Sequence, residues 1–182
     1  RAISTKHDFD LYEAIRRLSI LKESPDSTAA VIDEATAELE RLAAADVAPS
    51  EAALLARLHW WTVEYGLVGE LDDYRIFGAG LLSSLGESRH CLDDERVKKL
   101  PLTVDAVAYP YDITAEQPQL FVTRSCKHLS QVLEEFAASM AFRRGGAESL
   151  RKAIDAESVC TAELDSGVQV SGQFVETLTD AV

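Results

Sequence analysis

From Asp8 to Glu23 apolar residues recur mostly at three- and four-residue intervals, at Phe9, Leu11, Tyr12, Ile15, Leu18 and Ile20, with Arg16, Arg17 and Lys22 on the other side. That spacing predicts an amphipathic helix. Ser24-Pro25-Asp26-Ser27 ends it: Pro25 disfavours helical geometry at Ser24, and Asp26 or Ser27 can cap a second helix running to about Ala45. This second segment is rich in Ala, Glu and Arg and has little bulk, which predicts a surface position. Ser50 can cap a third helix, in which Leu54, Leu55, Leu58, Trp61, Val63 and Leu67 leave little polar circumference, so burial is expected. Gly66 and Gly69 break it.

The pattern then changes period. Short extended pieces lead through Tyr74 to Phe77, and Gly78-Ala79-Gly80 precedes Leu81-Leu82-Ser83-Ser84, where small residues allow close backbone approach. Thr103 to Tyr109 and Gln119 to Thr123 read as short strands or extended segments, and their sheet is expected to be small. Ser130 to Phe142 predicts a helix ended by Arg143-Arg144-Gly145-Gly146, and Glu148 to Asp155 a shorter one. From Ser158 onward β-branched and polar residues alternate around Asp165-Ser166-Gly167, a hairpin signal. The expected fold is mainly α with short β segments plus a small β-rich tail, divided near Glu157 into residues 1–157 and 158–182.

Composition narrows the class. In 182 residues, 31 Asp and Glu face 18 Lys and Arg, a formal charge of -13 that repels phosphate, with no basic stripe to offset it. Nucleic acid is therefore not an expected partner. At this length a fold buries roughly 70% of its unfolded surface, so no staple is needed to hold a core. No apolar run reaches the roughly 18 to 20 residues of a membrane span, and Cys91, Cys126 and Cys160 are odd in number with no C-x-x-C pair. A soluble protein of the reducing cytoplasm, not bound to a membrane, is expected. The chain opens on Arg1, not Met, and runs directly into helical sequence, as a piece of something longer would.

Glu64 is the residue that most demands a chemical explanation, because it stands in Leu58-His59-Trp60-Trp61-Thr62-Val63-Glu64-Tyr65-Gly66, the most aromatic helix of the chain. A buried carboxylate must be protonated, paired with a cation or bound to a metal; alternatively Glu64 lies on a solvent face or pairs with Arg57 or Arg75. His7, His59, His90 and His128 show no i, i+4 or i, i+5 pairing with one another. On α-helical geometry His59 and Glu64, five residues apart, point about 140° from each other and do not converge on one ion. The Gly78–Ser84 stretch matches no phosphate-binding loop; it suits either a tight packing turn or a site offering amides and hydroxyls to a carboxylate.

Trp60-Trp61-Thr62-Val63-Glu64-Tyr65-Gly66-Leu67, Gly78-Ala79-Gly80-Leu81-Leu82-Ser83-Ser84, Gly86-Glu87, Cys91, Leu100-Pro101-Leu102, Glu116-Gln117-Pro118 and Phe121-Val122 resemble, in order and interval, the biopterin-dependent aromatic amino acid hydroxylases. The resemblance covers about Ala52 to Phe142, and the chain's overall character is similar to bacterial phenylalanine 4-monooxygenases. It implies an oxidoreductase whose catalytic-domain fold is truncated at its N-terminus here. It also implies Fe(II) held by two histidines and one glutamate, a tetrahydropterin (tetrahydrobiopterin) cofactor, O2, and an aromatic amino acid substrate, phenylalanine foremost. By motif, Glu64 is the metal ligand. Trp60, Gly80, Ser83 and Ser84 match substrate-pocket positions, Ala56 matches a position near the pterin, and no separate catalytic residue is assigned.

The family's His-Glu-x-x-x-His-type metal helix has no counterpart in these 182 residues, and the expectation is that the isolated chain binds iron weakly and does not hydroxylate. A second reading is a non-catalytic acidic helical domain that binds a partner through the Trp60 and Trp61 region. Oligomeric state is left open.

Overall fold

A computed structural model describes residues 2–113 and 115–178 of the chain. The packing divides into two units, one of residues 1–52 with 145–182 and the other of residues 53–144. Residues 179–182 of the expected tail lie outside the described residues.

In the first unit, α1 (Lys6–Glu23) begins at a capping box: Thr5 accepts from the Asp8 amide and the Asp8 carboxylate accepts from the Thr5 amide. It pairs with α2 (Ala29–Ala43), whose N-cap is Thr28 and not Asp26 or Ser27. Inward packing rests on Ala14, Leu18 and Ala35, while Phe9, Tyr12, Ile15 and Ile20 stay exposed. Only part of the apolar periodicity of α1 thus becomes core. The chain's beginning is stitched to later segments: Lys6 N–H donates to Ala156 O at 2.7 Å, Ala52 N–H to Ile3 O at 3.0 Å, and Ser158 Oγ to Ser4 O at 2.6 Å. Helix α8 (Gly146–Asp155) is followed by an antiparallel hairpin of β5 (Val159–Glu163) and β6 (Gln169–Gln173), in the same unit. Its turn contains Gly167 at φ +80°, where the Asp165-Ser166-Gly167 signal puts it.

The second unit holds a four-stranded sheet in the order β2-β1-β4-β3, made of β1 (Leu67–Glu70), β2 (Asp73–Ile76), β3 (Lys98–Pro101) and β4 (Gln119–Thr123). β1 and β2 form an antiparallel ribbon, while β4 runs parallel to both its neighbours. Leu120, Phe121, Val122 and Thr123 are all buried, so β4 is covered on both faces, as a central parallel strand must be. Trp61, wholly buried, packs against Phe121 and donates its indole N–H to Tyr109 O at 2.9 Å.

Two predicted elements differ. Thr103 to Tyr109 is not a strand: Val104–Ala108 forms a 3-10 turn, because the Thr103 hydroxyl accepts from the Asp105 amide and opens a helical turn instead. The helix expected from Ser130 to Phe142 starts earlier, as α6 (Cys126–Ala138) capped by Ser125, and breaks before α7 (Ala141–Arg144). Among the described residues no helix is long and apolar enough to cross a membrane.

The third helix, α3 (Glu51–His59), does not end in an α-turn; it passes into a π-turn over Trp60–Glu64. Its closing bond is Tyr65 N–H to Trp60 O at 2.8 Å, five residues apart. Gly66 locks this turn. Its N–H donates to Thr62 O at 2.9 Å, and its carbonyl accepts from Phe77 N–H at 3.0 Å and Gly78 N–H at 2.9 Å. A Cβ on Gly66 would stand 2.3 Å from Thr62 O, and one on Gly78 2.3 Å from Glu64 O. After Gly78 come α4 (Ala79–Ser83) and α5 (Leu85–His90).

Replacing Gly78 with Ala therefore forces backbone apart, and a loss of about 2 kcal/mol is expected. Gly86, with no atom within 4 Å of the Cβ position, serves as control: Gly86→Ala should leave stability unchanged or slightly raised. Urea unfolding followed by Trp60 and Trp61 fluorescence checks both.

Glu116 accepts from His90 Nδ1 at 2.8 Å and pairs with Arg96 at 3.2 Å, and these partners, His90 first, hold its carboxyl below the usual carboxylate value. A depressed folded-state value favours the ionised group, so this contribution is full above the unfolded value of about 4.3 and is lost as pH falls through the folded one. Glu116→Gln should flatten the acid side of the stability–pH curve, read from urea midpoints between pH 7 and pH 3.

Candidate functional site

The i→i+5 turn changes which side chains meet. His59 Nε2 lies 3.6 Å from Glu64 Oε1, although on α-helical geometry the two diverge. The expectation that they cannot face one point is therefore wrong: it assumes 100° per residue, and a π-turn stacks i over i+5. For the same reason Trp60 meets Tyr65, ring centroids 4.5 Å apart and 16° from parallel. Tyr111 covers Trp60 at 4.4 Å and 9°. Trp60 is thus fixed in an aromatic sandwich, with its buried indole N–H lacking a hydrogen-bond acceptor among the described residues. Stacking, not hydrogen bonding, sets the ring's orientation.

Tyr65 is itself anchored, donating its hydroxyl to Glu87 Oε2 at 3.0 Å. Burial raises its phenol above the ordinary value, and the Glu87 hydrogen bond and the charges of Glu87 and Glu64 add to the rise. Both carboxylates therefore act on one small region.

The Glu64 side chain is not sequestered: it retains 36% of its exposure. The buried-carboxylate expectation is corrected accordingly. Neither suggested arginine pairs with it, since Arg57 donates to Val107 O at 3.2 Å and Arg75 pairs with Asp73 at 3.4 Å. Glu64 Oε2 faces Gly80, where a Cβ would stand 3.0 Å from that oxygen and 3.0 Å from Tyr65 Cε2. A side chain at position 80 would crowd the carboxylate, so the glycine keeps it in place.

Of the paired serines, Ser83 donates its hydroxyl to Gly80 O at 2.7 Å, and Ser84 accepts from Glu87 N–H at 3.4 Å as the N-cap of α5. Both hydroxyls serve the local backbone first. Ala56 lies exposed on α3. The structure thus brings Glu64, Gly80 and, through its carbonyl, Ser83 together, and joins Trp60 to Tyr65 and Tyr111. Sequence reasoning passed over Tyr65, Tyr111 and Glu87 and dismissed His59. For the two tyrosines the signal was the density of aromatic residues at positions 60, 61, 65, 109 and 111, and Glu87 stood in the Gly86-Glu87 motif.

The donors at the site are few. Apart from Glu64 and His59, His90 is engaged by Glu116 and His128 by Thr123 Oγ1 at 3.0 Å. Among the described residues no group of three or more His, Cys, Asp or Glu could hold a metal ion. The described residues therefore do not fit a complete 2-His-1-carboxylate centre, which needs three protein donors.

Residues 32–145 match the family model for biopterin-dependent aromatic amino acid hydroxylase. The chain is similar to a phenylalanine-4-hydroxylase of Dictyostelium discoideum, 40% identical over 99 residues covering 54% of this chain and 22% of the relative. It is likewise similar to that of Pseudomonas aeruginosa, 40% identical over 85 residues covering 47% of this chain and 32% of the relative. A tyrosine 3-monooxygenase of Schistosoma mansoni is 35% identical over 96 residues, covering 52% of this chain and 20% of the relative. Among solved structures, the iron- and phenylalanine-bound phenylalanine hydroxylase of Chromobacterium violaceum is 33% identical, covering 49% of this chain and 35% of that one, with a TM-score of 0.41. The chain spans between about a fifth and a third of the length of these curated relatives. With the matched segment containing the π-turn, Glu64, Gly80 and Ser83, this chain belongs to the biopterin-dependent aromatic amino acid hydroxylase family.

Proposed function

We propose that this chain contributes the carboxylate and substrate-pocket side of an iron- and tetrahydropterin-dependent monooxygenase, and that the complete reaction is 4-hydroxylation of phenylalanine to tyrosine with O2. The observation that carries this reading is the Glu64 carboxylate, held beside Gly80 by the π-turn and facing no Lys or Arg among the described residues. Glu64 is the protein's anionic iron ligand. Trp60, clamped between Tyr65 and Tyr111, bounds the space for an aromatic ring. In this reading Gly80 and Ser83 line the amino-acid pocket, Ser84 lies beside the substrate ring, and Ala56 is near the pterin. Iron and tetrahydropterin, when bound, supply the oxygen chemistry; the residues of this chain orient, enclose and ligate. In domain terms, we read residues 1–157 as the hydroxylase-like portion and 158–182 as a β-rich tail or the start of a further domain. The free thiols of Cys91, Cys126 and Cys160 fit a reducing cytoplasm.

The described residues supply one of the three protein donors of a 2-His-1-carboxylate centre, so the purified 182-residue chain should yield no tyrosine from phenylalanine, Fe(II), tetrahydrobiopterin and O2 by mass spectrometry. Production of tyrosine at a catalytic rate overturns that statement. A chimera tests the roles directly: residues 53–144 replace the matching segment of the Pseudomonas aeruginosa phenylalanine-4-hydroxylase. The chimera should hydroxylate phenylalanine, and Glu64→Gln within it should abolish activity while circular dichroism stays unchanged. A folded Glu64→Gln chimera that keeps its activity overturns the ligand role.

A further inference from the structure

We propose that α1 pairs with the α1 of a second copy of this chain, antiparallel across a twofold axis, through a stripe on its outer face that is complementary to itself. The stripe precedes residues 32–145, the family-matched stretch, and stands independently of the reading of Glu64.

The helix carries two faces at coiled-coil spacing. The inner one is built on Ala14 and Leu18, both buried, and belongs to the packing with α2. The outer one is Lys6, Phe9, Glu13, Arg16, Ile20 and Glu23, separated alternately by three and four residues, the a and d positions of a heptad. At about 100° per residue these six fall within roughly a third of the circumference, on the side away from Ala14 and Leu18. Phe9 is 63% exposed and Ile20 55%, and Tyr12, also exposed, flanks them. Large apolar side chains at regular helical spacing on a face left open mark an interaction surface.

The order of side chains along the stripe selects the partner. Turned end for end about the midpoint between Ala14 and Ile15, the stripe places Phe9 against the partner's Ile20, Glu13 against the partner's Arg16 and Lys6 against the partner's Glu23. The twofold axis repeats each pair, so every layer is apolar on apolar or acid on base. This is the a-against-d layering of antiparallel helices. A parallel pair would instead set Lys6, Glu13, Arg16 and Glu23 each against its own copy, with like charges in four of the six layers. Orientation and register are thus specified by charge.

Electrostatics permits the approach. The whole chain, at -13, repels a second copy, but α1 holds four Lys and Arg against four Asp and Glu and is neutral. Its internal ion pairs are open to exchange: Arg16 pairs with Glu13 at 3.5 Å and Lys6 with Asp10, exposed contacts that contribute little. Eighteen residues make a helix about 27 Å long, a small interface, so dissociation in the micromolar range is expected.

The test is sedimentation of the purified, untagged 182-residue chain from about 5 to 500 µM, which should show a monomer–dimer equilibrium. Glu13→Arg and Arg16→Glu, which each set like charges face to face, should raise the dissociation constant at least about tenfold. Both substitutions in one chain exchange acid for base within each layer and should restore it to within about threefold of the parent value. Phe9→Ala should weaken association as the single reversals do. Lys22→Glu changes net charge by as much as Arg16→Glu but lies off the stripe and should have no effect. Circular dichroism confirms that each variant is folded. A chain that stays monomeric throughout, as when another segment or a different protein covers the stripe, overturns the proposal. So does a dimer insensitive to the single reversals, or one that the double substitution fails to recover.

Discussion

A single five-residue hydrogen-bonded turn governs the geometry of the site. Tyr65 N–H reaches Trp60 O and not the carbonyl one residue later, and that extra residue rotates Glu64, Tyr65 and everything after them relative to α3. A π-turn is intrinsically unfavourable beside an α-turn, so something must hold it. Here the holding group is the carbonyl of Gly66, which takes two amides from the chain returning at Phe77 and Gly78. Gly66 and Gly78 are required because a methyl group at either would collide with a carbonyl oxygen at 2.3 Å. The sequence spacing between these glycines is filled by the β1–β2 ribbon, which brings the chain back to its own turn.

From that constraint the other features follow in order. Stacking i over i+5 pairs Trp60 with Tyr65, and Tyr111 closes the sandwich from the loop before β4. Tyr65 is held in turn by Glu87, which sits in the first turn of α5, where Ser84 caps the helix. Backbone geometry, aromatic stacking and one charged hydrogen bond thus fix the same indole from three sides. The carboxylate of Glu64 shares this scaffold but not its burial: it is partly wet, bounded by His59 on one oxygen and Gly80 on the other.

The legibility of the chain was uneven for physical reasons. β4 falls on Gln119–Thr123 and the terminal hairpin turns at Asp165-Ser166-Gly167, both as patterned, because a buried parallel strand and a glycine turn leave strong local marks. Thr103 to Tyr109 carries the same β-branched look, yet its Thr103 hydroxyl and Asp105 amide close a helical turn, a local hydrogen bond that overrides propensity. In α1 the apolar period predicts the helix correctly, but Phe9 and Tyr12 stay outside while Ala14 and Leu18 go in, since periodicity defines a stripe and not what covers it.

By itself the sequence determined α1, α2, α3, α6 and α8 in outline, β4, the terminal hairpin, the glycines at the turn and, through the Trp60–Leu67 and Gly78–Ser84 motifs, the family, but not β3, α4 or α5. Only the tertiary structure decided that His59 faces Glu64, that Trp60 is clamped by Tyr65 and Tyr111, and that the carboxylate is half-open to water. Each of these depends on one hydrogen bond spanning five residues instead of four. That choice is made by Phe77 and Gly78 reaching back to Gly66, a contact across the β1–β2 ribbon that no local pattern around Trp60 encodes.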